Sequence, residues 1–335
     1  MSRSYYYYRR GVKKPRSKLK IAAIACLCFG VVGIGGLKVA ELQPGESDTS
    51  PIVSSLKETA SRPAVIPPIS LPNPLPWPEK GIAAYSVPTD KLAVASVDKD
   101  KSVPIASLTK IITVLAVMRE KPLEPGQQGP SITLTEKDIA IYNEYIRKDG
   151  TVTPVAAGQK ITQYQAMQAI MHVSSNNMAD MLAIWAFGSI ENYTRYANNM
   201  LQELGLENTR VADDASGYSS NNVSTAKEIA TLSFLYLQNP VLREITQQPQ
   251  ATIPIIGTIR NTNSFINEGD VFGLKAGFTG DAGRCFIVAS IRKTPEDKEE
   301  ISVAVVLGSD SITMAAKDAA KILETGNRDH DTIVK

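Results

Sequence analysis

Runs of strand character stand at two places far apart in this chain, and that separation limits its fold more than any other feature. Ile82 to Val87 and Leu92 to Val97 flank the turn Pro88-Thr89-Asp90 and predict a hairpin. The next Val- and Ile-rich runs come only much later, at Thr252 to Arg260, Val271 to Leu274, Cys285 to Arg292 and Ile301 to Leu307. Between the two groups the spacing turns helical. Ile111 to Met118 follows Pro104, and Thr162 to Val173, Asn177 to Phe187, Ile190 to Leu204 and Thr225 to Leu237 read as further helices. Residues 130–160 are mixed and turn-rich, and a last helix is expected at Ile312 to Glu324. Short connections after residue 270 favour antiparallel pairing. The predicted class is α/β, in detail α+β: one antiparallel sheet built from both ends of a domain spanning 79–328. Helices flank the sheet, and a mostly helical insertion covers about 130–225.

What precedes that domain is different in kind. Residues 1–20 hold eight basic side chains and no acidic one, and Ile21 to Leu37 follow with seventeen residues free of charge. At ~1.5 Å per residue such a helix reaches ~26 Å, near the lower limit for crossing a bilayer. Positive residues stay on the cytoplasmic side, so everything beyond residue 38 is expected outside. Lys38 spoils the −3 position of the best cleavage site, and a retained signal-anchor is preferred to a cleaved signal peptide. Residues 38–78 form an extracytoplasmic linker, with nine of the chain's twenty prolines in 41–78. The short stretch after the last expected strand leaves no room for a separate β-rich domain, so membrane attachment is assigned to residues 21–37.

The whole chain carries 36 basic and 34 acidic residues, so without the basic tail the remainder has 28 against 34, a net charge of −6. A mildly acidic body argues against nucleic-acid binding. Two histidines and three cysteines are too few for a histidine triad or a zinc site, and neither a metal nor a cofactor is expected. His172 lies in an apolar run and is read as packed core, and His330 falls in the polar tail Gly326 to Asp331. Cys285, the lone cysteine of the outer domain, reads as buried strand filler.

Three short segments carry the chemistry: Ser107-Leu108-Thr109-Lys110, Ser174-Ser175-Asn176 and Lys275-Ala276-Gly277. Ser-x-x-Lys alone identifies nothing, because it occurs six times, beginning at Ser17, Ser54, Ser96, Ser107, Ser224 and Ser290. Only Ser107 stands at the start of a long apolar helix. There Lys110, three residues on, shares a helix face with the hydroxyl. Burial lowers a lysine's proton affinity, so Lys110 can take the serine proton. The competing reading makes Ser107 a helix cap and Lys110 a solvated side chain. Ser174 and Asn176 sit where one helical run ends and the next begins, either as proton relay and amide holder or as a capping turn. Gly273 to Gly280 ends a strand. Its glycines, Gly277 among them, let an extended substrate approach the edge, Lys275 offers a charge for an anion, and Thr279 adds a hydroxyl.

In this order the segments resemble the serine D-Ala-D-Ala carboxypeptidases of the penicillin-binding protein and serine β-lactamase superfamily, over about residues 81–325. The likeness extends to Pro104-Ile105-Ala106 before the nucleophile, to Met178–Ala183 after the second motif, and to Gly205 through Gly217 and Ser224-Thr225-Ala226-Lys227. It implies a serine β-lactamase/transpeptidase-like fold. It also implies that Ser107 is acylated, Lys110 is the base, Ser174 relays the proton, Asn176 orients the substrate and Lys275 draws in its carboxylate. The backbone amides of Ser107 and Phe278 would form the oxyanion hole. Two departures stand out: Ala276 replaces the threonine of Lys-Thr-Gly, with Thr279 as a nearby hydroxyl, and no arginine follows Ile301–Leu307, with Arg284 as a candidate replacement. The implied function is removal of the terminal D-alanine from peptidoglycan stem peptides at the bacterial cell membrane, with β-lactams as covalent inhibitors. A D,D-endopeptidase and a non-catalytic wall-binding module remain the alternatives. A class A β-lactamase does not fit, since Glu203 to Asn208 lacks the spacing of its deacylating glutamate.

Overall fold

The computed structural model describes residue 71 and residues 73–88, 92–97, 101–254, 256–263, 269–294 and 297–333. The basic tail of residues 1–20, the anchor of residues 21–37 and the first part of the linker lie outside the described residues. Among the described residues no helix is long and apolar enough to cross a membrane.

In chain order the elements are β1 (Ile82–Pro88), β2 (Leu92–Val97), β3 (Val103–Pro104), a 3₁₀ turn (Ala106–Leu108), α1 (Thr109–Glu120), β4 (Ser131–Thr133), α2 (Glu136–Arg147), β5 (Lys160–Thr162), α3 (Gln163–His172), α4 (Asn176–Phe187) and α5 (Ile190–Glu203). They continue with β6 (Val223–Ser224), α6 (Ala226–Gln238), α7 (Pro240–Gln247), β7 (Gln250–Ile253), β8 (Gly257–Arg260), β9 (Val271–Thr279), β10 (Gly283–Lys293), β11 (Glu299–Ser309) and α8 (Ile312–Ile333). The five-stranded sheet runs β2-β1-β11-β10-β9, with every neighbouring pair antiparallel. Strands from the two ends of the domain therefore join in one antiparallel sheet as the sequence predicts, meeting where β1 pairs with β11, and β9 is left as an edge.

Both faces of the sheet are covered, which is why β10 and β11 read as continuous apolar runs rather than alternating ones. Ile82, Ala84, Cys285, Ile287, Val303 and Val305 point into the larger core shared with α1 and α3–α7. Ala83, Tyr85, Phe286, Val288, Ala304 and Val306 point the other way, onto Ala315, Ala316, Ala319, Ile322 and Leu323 of α8. The helices start where local chemistry satisfies their free amides. Thr135 with Asp138 and Thr162 with Gln165 form capping boxes for α2 and α3. Asn239 caps α7 ahead of Pro240, and Thr225, not Ser224, caps α6.

Four sequence expectations are corrected. The stretch Thr252–Arg260 is not one strand but the hairpin β7–β8, because Pro254 and Gly257, at φ +79°, break it. Residues 130–160 contain a full helix, α2, beside the small β4–β5 ladder. The last helix runs on to Ile333, so Gly326 to Asp331 is no polar tail. Gly326 lies against the Tyr85 ring, Asn327 Oδ1 accepts from the Tyr85 hydroxyl at 2.9 Å, and His330 is buried. The linker's last residues also join the body. Leu75 is buried against the α8 cluster, and Asn73 donates to Asp329 through its backbone and side chain.

Candidate active site

The turn that carries Ser107 is held from both sides. Ile105 N donates to Asn222 O, Leu108 N closes on Ile105 O, and the Thr109 hydroxyl donates to Ala106 O. Ala106 is in the left-handed region at φ +47°, as are Ser174 at +58° and Asp149 at +56°. Two of the four non-glycine residues with positive φ among the described residues, Ala106 and Ser174, thus lie beside or within the motif segments, the pattern expected where backbone strain serves function. Two glycines let other segments press against the turn. A Cβ on Gly217, itself at φ +79°, would stand 1.8 Å from Ala106 O, and one on Gly277 would stand 3.2 Å from Ser107 N.

Lys110 lies in the first turn of α1 with no exposed surface. Its Nζ is 2.9 Å from Ser107 Oγ, 2.7 Å from Asn176 Oδ1 and 2.7 Å from Ser216 O. Burial brings its pKa down to about 7, against the opposing pull of the Asp214 and Asp180 charges. Near neutral pH the amine is therefore often uncharged and able to accept the Ser107 proton. Asn176 opens α4, and its backbone amide donates to Thr151 O at 2.8 Å.

Ser174 lies in the connection between α3 and α4, and its hydroxyl accepts a 3.0 Å hydrogen bond from Lys275 Nζ. Lys275 is as completely buried as Lys110; desolvation first, and the Lys110 charge second, hold its amine well below the usual lysine range. Its aim depends on a break in strand register. Ile287 of β10 faces Lys275 and Val288 faces Gly273, so Leu274 is an extra residue in β9. Phe272 and Leu274 point into the larger core, and the bulge brings Lys275 and then Gly277 onto that same side. Ala276 packs towards α8 instead. The strand also continues to Thr279 rather than ending at Leu274, so the third motif lies inside β9. Thr279 Oγ1 accepts from Ala282 N at 3.1 Å in the turn to β10.

The structure thus brings Ser107, Lys110, Ser174, Asn176, Lys275 and Gly277 together. It does not bring Arg284 to them. Arg284 is the direct cross-strand partner of Phe278 and shares a face with Phe286, on the α8 side of the sheet. Its guanidinium lies 3.3 Å from the centroid of the half-exposed Phe278 ring. That position corrects the expectation that Arg284 supplies the missing arginine's charge. His172 is buried, with Nε2 2.7 Å from Ile245 O, and burial lowers its pKa. The Cys285 thiol is buried and pushed up to about 11, which makes it unreactive. Among the described residues one group has metal-ligand spacing: Glu300, His330 and Asp331, where Arg292 already pairs with both carboxylates.

Four side chains at the site escaped sequence reasoning. Asp214 accepts from the backbone amides of Ser216, Gly217 and Tyr218 on one oxygen and Ser219 on the other, and so shapes the segment whose carbonyl meets Lys110. Asp180 accepts from Ala215 N and from the Tyr145 hydroxyl, which also meets Ser216 Oγ. The one available signal was spacing: Asp180 follows Asn176 by a helical turn and shares its face.

A family model described as D-alanyl-D-alanine carboxypeptidase (Peptidase_S11) matches residues 88–311. A D-alanyl-D-alanine endopeptidase of Pseudomonas aeruginosa is 28% identical over 238 residues, which are 68% of this chain and 71% of that protein. One of Escherichia coli is 25% identical over 56% of this chain and 59% of its own length. The carboxypeptidase DacF of Bacillus subtilis is 25% identical over 68% of this chain and 57% of its own. The chain thus spans less than two thirds of the latter two relatives. Among solved structures, the Streptomyces K15 DD-transpeptidase superposes with a TM-score of 0.66 at 20% identity, covering 78% of this chain and all of that one. This likeness establishes the serine DD-peptidase fold.

Proposed function

The chain belongs to the D-alanyl-D-alanine carboxypeptidase family, Peptidase_S11, and from that membership we propose that it removes the terminal D-alanine from peptidoglycan stem peptides through an acyl-enzyme on Ser107. The observation that carries the reading is the convergence of Ser107 Oγ, Asn176 Oδ1 and Ser216 O on one fully buried amine whose pKa is about 7. Uncharged Lys110 takes the Ser107 proton as Oγ attacks the carbonyl of the penultimate D-alanine. The leaving amine receives its proton by way of Ser174, whose hydroxyl is held by Lys275. Water then attacks the ester, and Ser107 recovers its proton as the shortened peptide leaves. The edge of β9, with Gly277 against the nucleophile turn and the Phe278 amide beside it, offers the extended substrate a strand to pair with. Thr279 supplies a hydroxyl near the substrate carboxylate, and a β-lactam acylates the same serine.

A second reading has its own support: the Pseudomonas aeruginosa and Escherichia coli relatives are both named endopeptidases. Cleavage of a cross-linked dimer needs the same chemistry and more room beyond the leaving group. We place the domain outside the cytoplasmic membrane, tethered by residues 21–37, on the strength of the basic run that precedes that apolar segment.

The test has two parts. Fluorescent penicillin should label the protein covalently, and Ser107→Ala should abolish the label. Incubation with a pentapeptide ending in D-Ala-D-Ala should release D-alanine, and incubation with a cross-linked muropeptide dimer measures the competing activity. Labelling with neither product would leave only the wall-binding alternative.

A further inference from the structure

Next to Lys110, the motif chemistry leaves the buried Asp180 without a role. Asp180 projects from α4, and only 9% of its surface is exposed. Its Oδ1 accepts from Ala215 N at 2.9 Å, and its Oδ2 accepts from the Tyr145 hydroxyl at 2.7 Å. Tyr145, also buried, lies 3.1 Å from Ser216 Oγ through the same oxygen. Asp180 therefore holds the residue whose carbonyl takes a hydrogen bond from Lys110 on both sides: directly through the backbone of its predecessor, and through Tyr145 at its side-chain hydroxyl. The second carboxylate, Asp214, is saturated by a nest of backbone amides and the Ser216 hydroxyl. Asp180 has two donors, and its heavy burial raises its pKa.

We propose that Asp180 is a positioning residue for Lys110: with Tyr145 it fixes the Ala215–Ser216 backbone that Lys110 bonds, and it adds a buried negative charge that governs how firmly that amine holds its proton. The groups facing it support this. Lys110 comes from α1, Tyr145 from α2 and Lys148 from its C-cap, Tyr193 from α5 and Asp214 from the 213–219 segment. Burial raises the Asp180 pKa to about 7, with the Asp214 charge acting in the same direction and Lys110 opposing it. Asp180 and Lys110 consequently exchange charge over the same pH range. Lys110 without Asp180 would sit in an apolar pocket with the Asp214 nest alone to favour its charged form, and would lose its proton at lower pH. The acylation readout of this inference rests on the peptidase reading above; the Lys110 titration does not.

The experiment is a titration of Lys110 in the full chain labelled with [ε-¹³C]lysine, the resonance being assigned by its loss in Lys110→Arg. Asp180→Asn keeps the shape and can still bond Ala215 N and Tyr145. It should move the Lys110 midpoint down by at least about one pH unit, the effect of a unit charge ~10 Å away at an effective dielectric of ~20. Tyr145→Phe, which removes a donor that favours the ionised carboxylate, should move it in the same direction by less. The ascending limb of the pH profile for penicillin acylation should shift with the midpoint. A purely structural Asp180 would lower the rate at every pH and leave the midpoint in place. An unmoved midpoint in Asp180→Asn, or in Tyr145→Phe should the first variant fail to fold, overturns the proposal. A wild-type protein that titrates as described but takes up no penicillin would refute the peptidase reading and leave this one standing.

Discussion

Replacing Lys110 by methionine should change how stability depends on pH in a way no surface lysine can reproduce. An unfolded chain holds the Lys110 proton up to about pH 10.4. The folded chain gives it up at about 7, because the amine is wholly buried. Between those values the unfolded state binds one more proton than the native state, so wild-type stability rises with pH. The penalty for burying the charge is complete below pH 7, shrinks through the window and is gone above 10.4. From pH 7.5 to 9.5 the gain amounts to about 2.5 kcal/mol, taking the folded value as about 7. Asp180 adds little slope there, since its own titration near 7 is mostly finished. Lys275 contributes nearly alike to both proteins in this window, because Lys110, whose charge lowers the Lys275 pKa, is mostly uncharged there. Lys110→Met should show none of this gain. It also strips a donor from Asn176 Oδ1 and from Ser216 O, at about 1–3 kcal/mol each, but that cost does not vary with pH. Guanidinium denaturation of both proteins at pH 7.5, 8.5 and 9.5 is the assay, and the difference between them should change by about 2.5 kcal/mol across the range. Parallel curves would mean that Lys110 keeps an ordinary proton affinity in the fold, and the account of it as a neutral base would fail.

Three further outcomes follow from the same geometry. Gly217→Ala puts a Cβ 1.8 Å from Ala106 O at a φ of +79°, so it should slow penicillin acylation of Ser107 at least tenfold and cost about 2–4 kcal/mol, read by stopped-flow labelling and thermal unfolding. Arg284→Ala should leave the ratio of kcat/KM for a free-carboxylate peptide over its C-terminal amide unchanged, because the guanidinium stacks on Phe278 away from the Ser107 face. A fall in that ratio would return Arg284 to the site. Leu75→Ala should cost about 2–3 kcal/mol in denaturant unfolding, as for a core residue, whereas a pure tether would lose nothing.

The strands and most helices were legible because burial on one face or two writes a period into the sequence. Ile82–Val97, Asn177–Phe187 and Ile301–Leu307 needed nothing more. The Ser107–Lys110 contact was legible because a serine and a lysine three apart at the head of an apolar helix share one face. What stayed hidden depends on pairing across the chain. The extra residue Leu274 carries no local mark; it becomes a bulge only opposite Ile287 and Val288, and without it the phase of β9 is misread by one. Arg284 was misplaced for that reason: proximity in sequence to Lys275 said nothing of which face it takes. Gly326 to Asp331 looked like a polar tail because its polar groups find their partners, such as Tyr85, Ser290 and Arg292, on distant strands.

The two buried lysines of this site are what the proposed acyl transfer without histidine requires. A histidine titrates near neutrality unaided, whereas a lysine must be moved by three or more units to act as a base. Desolvation supplies that move here, and it destabilises the fold. A carboxylate beside the base limits the excess, since Asp180 and Asp214 both pull Lys110 back towards its charged form. Asp180 is itself destabilised by the same burial, so its contribution to stability is fullest below pH 4 and is lost as pH rises towards 7. Lys110 has the opposite slope above 7. The two contributions therefore oppose each other, and together they favour the fold least near the neutral pH at which Lys110 is poised between its two forms. If so, Asp180→Asn should gain stability at pH 8 even as it shifts the acylation profile, a combination that separates a residue kept for the chemistry from one kept for the fold.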